Sequence, residues 1–63
     1  SNDKFIRITN SILDSVNKTI THMSNRLYEP HERHDIDTTL KVLNNERNTL
    51  EMVIQHAQFT SQK

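Results

Sequence analysis

The chain has 63 residues, of which 32% are apolar, and its eight basic and eight acidic side chains give a net charge of zero. It contains no cysteine, which excludes a disulfide framework and a cysteine-ligated zinc site. A domain of this size buries only about 60% of the surface of its unfolded chain. The composition therefore predicts a small core that needs a partner to complete it.

Glycine is absent, and Pro30 is the single proline. Tight β-hairpin turns and phosphate-binding loops both depend on glycine, because the backbone there adopts conformations that a side chain obstructs. No apolar run approaches the roughly 18 residues that cross a bilayer. The sequence therefore predicts an all-α fold without a membrane span.

The first half of the chain carries a heptad pattern, in which apolar residues recur at alternating spacings of three and four. This pattern predicts a helix over residues 3–28, with Ser1 or Asn2 as its N-cap. One seam position is polar. The seam consists of Ile6, Thr9, Leu13, Val16, Ile20, Met23 and Leu27.

A second heptad series predicts a second helix over residues 36–60. Two starts of this helix fit the sequence. It can begin at Pro30, which suits the first position of a helix, or after Asp35 or Asp37, either of which suits an N-cap. One seam position is again polar. The seam consists of Ile36, Leu40, Leu43, Arg47, Leu50, Ile54 and Ala57.

A bend is predicted over residues 29–35, between the two series. Proline inside a helix loses a hydrogen bond and clashes with the preceding turn, at a cost of about 3 kcal/mol. The heptad phase also slips by one residue across this stretch. We therefore expect residues 1–63 to form one coiled-coil-like, antiparallel two-helix hairpin.

Two registers of this hairpin fit the sequence. In the first, facing residue numbers sum to 63, so that Ile20 meets Leu43. A tighter turn gives a sum of 56 and pairs the polar residues Thr9 and Arg47. The first register is favoured because it leaves no apolar overhang.

Eight apolar residues lie off the seam, and six of them gather near the two chain termini, which adjoin in an antiparallel hairpin. These six could simply widen the seam, since scattered exposed apolar residues are normal. We favour an interface, because two helices alone leave much of each seam exposed to water. The predicted interface residues are Phe5, Ile8, Ile12, Met52, Val53 and Phe59.

Polar residues that could carry chemistry are few. Arg47 lies at a core-type position, where its aliphatic stem can pack and its guanidinium can reach water, with Glu51 and Asp14 as candidate ion-pair partners. His31 and His34 have a metal-ligand spacing, yet the bend fixes no third strong ligand, so we predict no metal site. No catalytic constellation or cofactor site is present, and we expect no enzyme activity.

The expected function is therefore protein–protein interaction. The chain would be a small adaptor, oligomerisation or chaperone-type subunit whose hairpin is completed to a helical bundle, either by self-association, with a dimer as the favoured homo-oligomer, or by docking on another protein's helices. A cytoplasmic location is expected, because no signal peptide, membrane span or cysteine is visible. The alternative function is a small nucleic-acid-binding helical hairpin regulator. The dispersed basic residues and zero net charge make it the weaker one.

Overall fold

The computed structural model describes residues 2–61, and all regular structure in that range is helical. Helix α1 covers Asp3–Ser24, and helix α2 covers Arg33–Ser61. A single 3₁₀ turn, Pro30–Glu32, leads directly into α2. The prediction of an all-α fold is confirmed.

The two helices pack against each other, and the two ends of the described chain meet. The Asn2 side-chain amide donates hydrogen bonds to the Ala57 carbonyl oxygen at 3.3 Å and to the Thr60 hydroxyl at 3.2 Å. The molecule measures 51 × 14 × 11 Å, which is the shape of a single layer of two helices. This arrangement is consistent with the predicted hairpin.

Helix α1 ends four residues earlier than predicted, and this corrects the range 3–28. The Asn25 N–H still bonds to the Thr21 carbonyl at 3.1 Å, and the chain then leaves the helix. Leu27, predicted as the last seam residue of α1, lies in the connection and is 95% exposed. Leu27 is therefore not part of the seam.

The connection is shaped by the residue that precedes the proline. Glu29 has an extended backbone, with φ −70° and ψ 151°, because the ring of Pro30 disfavours helical geometry at the residue before it. Pro30 then starts the 3₁₀ turn, and helical geometry continues from there into α2 at Arg33. Helical geometry thus begins at Pro30, one of the two predicted starts, but as a 3₁₀ turn, and the α-helix itself begins at Arg33, within the predicted bend 29–35. The range 36–60 was too short at its beginning.

The first turn after the connection is held by Glu29 and Glu32. The Glu29 N–H donates to the Glu32 carboxylate at 3.0 Å, and the Glu32 N–H donates to the Glu29 carbonyl at 2.9 Å. These two bonds satisfy backbone groups that have no partner within the helix.

The position of Asn2 falls between the two predicted registers. A register with sums of 63 places Asn2 opposite Ser61, and one with sums of 56 places it opposite Ile54. The observed hydrogen bonds set Asn2 beside Ala57 and Thr60 instead.

Few residues of the seam between the helices are buried. Among the described residues, Thr9, Ile54 and Ala57 are buried, and no large side chain is completely removed from solvent. The remaining seam positions are half-buried: Ile6, Leu13, Val16, Ile20, Met23, Ile36, Leu40, Leu43, Arg47 and Leu50. Neither helix, as far as the structure describes it, is long and apolar enough to cross a membrane.

Candidate interaction surface

An open groove runs along one side of the helix pair, near the chain ends. From the α1 side it is lined by Asn2 and Phe5. From α2 it is lined by Thr49, Met52, Val53, His56, Ala57 and Thr60. Phe5 is 51% exposed and Met52 is 68% exposed, so the apolar walls of the groove face solvent.

The groove continues toward the middle of the helices. Thr49 also lines this second part, in which Ile12 and Val16 of α1 face Val42 and Leu50 of α2. Asn45 and Glu46 complete its lining. We call the two parts together the apolar groove, and Glu46 is the one acidic or basic residue, other than histidine, in its lining.

The opposite side of the helix pair is polar. Successive residues of a helix are about 100° apart, so Leu13 turns away from the side that carries Ile12. A cleft on the Leu13 side is lined by Asn10, Leu13, Glu51, Ile54, Gln55 and Gln58. We call it the polar cleft. Four of its six lining residues are polar, so this cleft differs in chemistry from the apolar groove.

Four of the six predicted interface residues share the apolar groove: Phe5, Ile12, Met52 and Val53. Ile8 and Phe59 are also exposed, at 52% and 60%, but they do not line the groove. The structure thus brings two-thirds of the predicted set together on one surface, and whether that surface is an interface remains a prediction.

Two residues of the groove, Val16 and Val42, are not among the six predicted interface residues. Val16 was placed in the seam, and it does line both the half-buried seam and the groove. Val42 is one of the eight apolar residues off the seam but not one of the six predicted interface residues, and in the structure it is 51% exposed and lies in the groove. The spacing from Val42 to Thr49 to Val53, seven and then four residues, is the signal that places all three on one helix face.

Charged side chains contribute little to the packing of α1 on α2. Within the described residues, both ion pairs join neighbours on one helix: Lys18 with Asp14 at 3.3 Å and Arg33 with Asp37 at 3.4 Å. Both are exposed, and such pairs contribute at most about 1 kcal/mol. Because Asp14 pairs with Lys18, it is not the partner that was considered for the half-buried Arg47.

The connection carries an aromatic ring between two cations. The guanidinium carbons of Arg26 and Arg33 lie 5.4 and 5.9 Å from the centre of the Tyr28 ring. Cation–π contacts of this kind contribute about 0.5–1 kcal/mol at exposed sites. They brace the connection where the chain changes direction.

His31 and His34 lie at this end of the molecule. Among residues 2–61, no group of three or more histidine, aspartate and glutamate side chains is arranged to hold a metal ion. A separate cleft on the outer surface of α1 is lined by Asn17, Lys18, Thr21, His22, Asn25 and Arg26. Two of its cations are already engaged, Lys18 with Asp14 and Arg26 with Tyr28.

Comparisons with protein-family models, curated proteins and solved structures find no significant match to this chain. The apolar groove is therefore the observation from which a function can be argued.

Proposed function

We propose that this chain is a non-enzymatic protein–protein interaction module, which buries its apolar groove against the helices of a partner or of another copy. It would serve as a small adaptor, oligomerisation or chaperone-type subunit. The observation that supports this proposal is an apolar groove, open to solvent, on a helix pair with a very small core.

The small core is the first support. Buried positions among residues 2–61 number only three, and one of them is the polar Thr9. The Thr9 hydroxyl donates to the Phe5 carbonyl at 2.8 Å, so its burial costs little, but it adds little apolar contact to the seam. A chain held together by so few buried contacts gains stability from any partner that covers the half-buried seam.

The exposed side chains are the second support. Phe5 and Ile12 each expose about half of their surface, and Met52 exposes more. Covering each such side chain contributes about 1 kcal/mol or more, since burial of apolar area contributes about 25 cal/mol per Å². Because Phe5, Ile12 and Val16 repeat at helical spacing, they suit a partner helix laid along the groove.

We do not propose nucleic-acid binding, the alternative function from sequence. That function needs a face with several unpaired cations, because the release of counterions from phosphates supplies most of the affinity. Lys18 and Arg26, in the cleft on the outer surface of α1, are engaged by Asp14 and Tyr28. The groove itself carries the acidic Glu46.

The test compares the tagged chain with two double variants in affinity capture from its native source, followed by quantitative mass spectrometry. The variant Phe5→Asp with Met52→Asp places two charges in the groove. The control Asn10→Asp with Gln55→Asp places the same two charges in the polar cleft. We expect the groove variant to lose, by tenfold or more, proteins that the unmodified chain and the control both retain, including untagged copies of the chain.

Circular dichroism verifies that both variants keep helical structure. If the groove variant and the control retain the same proteins in the same amounts, the groove is not the interaction surface and the proposed function is wrong.

A further inference from the structure

The proposed function leaves the occupant of the groove open, and the following inference rests on that function. We infer that the apolar groove is covered by a second copy of this chain, and that the assembly is a closed dimer, a bundle of four helices. Accessible area, charge and the polarity of the opposite side all point to this occupant.

Accessible area gives the size of the missing contact. The chain exposes 5137 Å². A compact monomer of 7.4 kDa exposes about 4,200 Å², so the excess is about 900 Å². A protein–protein interface of standard size buries about 800 Å² per partner. The excess is therefore close to the area that each of two copies would bury in one such interface.

The shape agrees with the area. The radius of gyration is 14.9 Å, whereas a compact domain of 63 residues has about 11 Å. The molecule is a single helical layer with a smallest extent of 11 Å. A second layer of equal length, laid on the groove, converts the two half-buried seams into one enclosed core.

Charge favours a copy over a strongly charged partner. The groove lining carries one acidic residue, Glu46, and no lysine or arginine. A surface so poor in charge offers no electrostatic selection for a basic or acidic protein. A second copy carries the same groove, equally poor in charge, and a two-fold interface brings the same surface patch of both copies together.

The opposite side explains why the assembly should stop at two. The polar cleft presents Asn10, Glu51, Gln55 and Gln58. A two-fold arrangement uses the apolar grooves of both copies at once. The polar cleft is not a second apolar groove, so a third copy finds no matching surface there and we expect the assembly to close.

The experiment is sedimentation equilibrium of the purified chain at micromolar concentration, together with the two double variants defined above. We expect the unmodified chain and the polar-cleft control to have twice the chain mass of 7.4 kDa. The dimer dissociation constant of the groove variant should be larger by about 100-fold or more, because each dimer would bury four unpaired carboxylates.

A milder variant, Phe5→Gln with Met52→Gln, covers the case in which the aspartates unfold the chain. Glutamine has a helix propensity close to that of methionine, and we expect dissociation to increase about tenfold while the helical signal is kept. Equal dissociation of this helical variant and the unmodified chain would overturn the inference.

Two results for the unmodified chain would also overturn it. A single-chain mass would exclude the second copy, and the proposed function would survive if the groove variant still lost captured proteins. A mass of four or more chains would show that association does not close at two. Equal capture by the groove variant and the control would instead overturn the proposed function, and with it the inference that rests on it.

Discussion

Asn2 precedes α1 and would be expected to cap it, yet its side chain makes no capping bond to α1. The amide instead reaches α2, where it donates to the Ala57 carbonyl and to the Thr60 hydroxyl. The Thr60 hydroxyl donates in turn to the same carbonyl at 3.1 Å. One residue thus joins the two helices at the end where the buried positions lie.

This geometry predicts different effects of substitution for the two possible roles of Asn2, as the N-cap of α1 or as a hydrogen-bond donor to α2. For a cap, Asn2→Asp should be neutral or stabilising, because aspartate caps as well as asparagine and favours the positive end of a helix. For a donor to Ala57, aspartate should be harmful, because a carboxylate cannot donate and would face a carbonyl near the negative end of α2.

We expect Asn2→Ala to lower the free energy of unfolding by about 0.5–1.5 kcal/mol, and Asn2→Asp to lower it at least as much. Urea unfolding of the three proteins at one chain concentration and neutral pH measures this. An Asn2→Asp protein as stable as the unmodified chain would show that the tie to α2 contributes nothing.

The two polar seam residues illustrate what a sequence can and cannot say at this scale. The heptad pattern predicts Thr9 and Arg47 as polar positions of the seam, and in the structure Thr9 is buried and Arg47 is half-buried. It did not reveal that Thr9 would be buried and bonded to the Phe5 carbonyl, because a threonine hydroxyl can equally face solvent or bond to the preceding turn. The rotation of each helix about its own axis decides this, and the pattern gives that rotation only coarsely.

At the scale of the helices, the seam pattern and the proline predicted two helices and a connection, and they missed where α1 ends. The pattern alone extends the seam to Leu27, because leucine fits the next position of the series. Glu29 must be extended before Pro30, and the chain needs several residues to pass from helix to that geometry. The end of a helix is set by the backbone conformation that the following residues require. Apolar spacing therefore overestimates the length of a helix when an apolar residue beyond its end happens to fit the pattern.

The corrected end of α1 is testable with a pair of leucines. Leu27→Ala should change the free energy of unfolding by no more than about 0.5 kcal/mol, because the side chain is almost fully exposed. Leu43→Ala, at a half-buried seam position of α2, should lower it by about 1–3 kcal/mol. Thermal or urea unfolding followed by circular dichroism provides both values.

An equal loss of stability from the two substitutions would contradict the described connection. It would mean that Leu27 packs in the seam, as the heptad pattern alone suggested.

At the scale of the whole molecule, the sequence predicted an incomplete core and six exposed apolar anchors. All six are exposed, and four line one groove. The sequence could not define the groove itself, because a groove depends on how far α1 is shifted along α2. The observed position of Asn2 lies between the two registers that the spacing allowed. Val42 also lies in the groove, which the spacing of apolar residues alone did not predict.

The central claim is that a single helix pair is not the complete folded unit, because its apolar groove is covered only when two copies associate. The most direct test follows thermal unfolding of the unmodified chain by circular dichroism over a hundredfold range of chain concentration. Folding coupled to dimerisation predicts a midpoint that rises steadily with concentration, since each tenfold increase adds about 1.4 kcal/mol to the stability of the dimer. A sharp transition with the same midpoint at every concentration would show that one chain folds alone, and would contradict the claim.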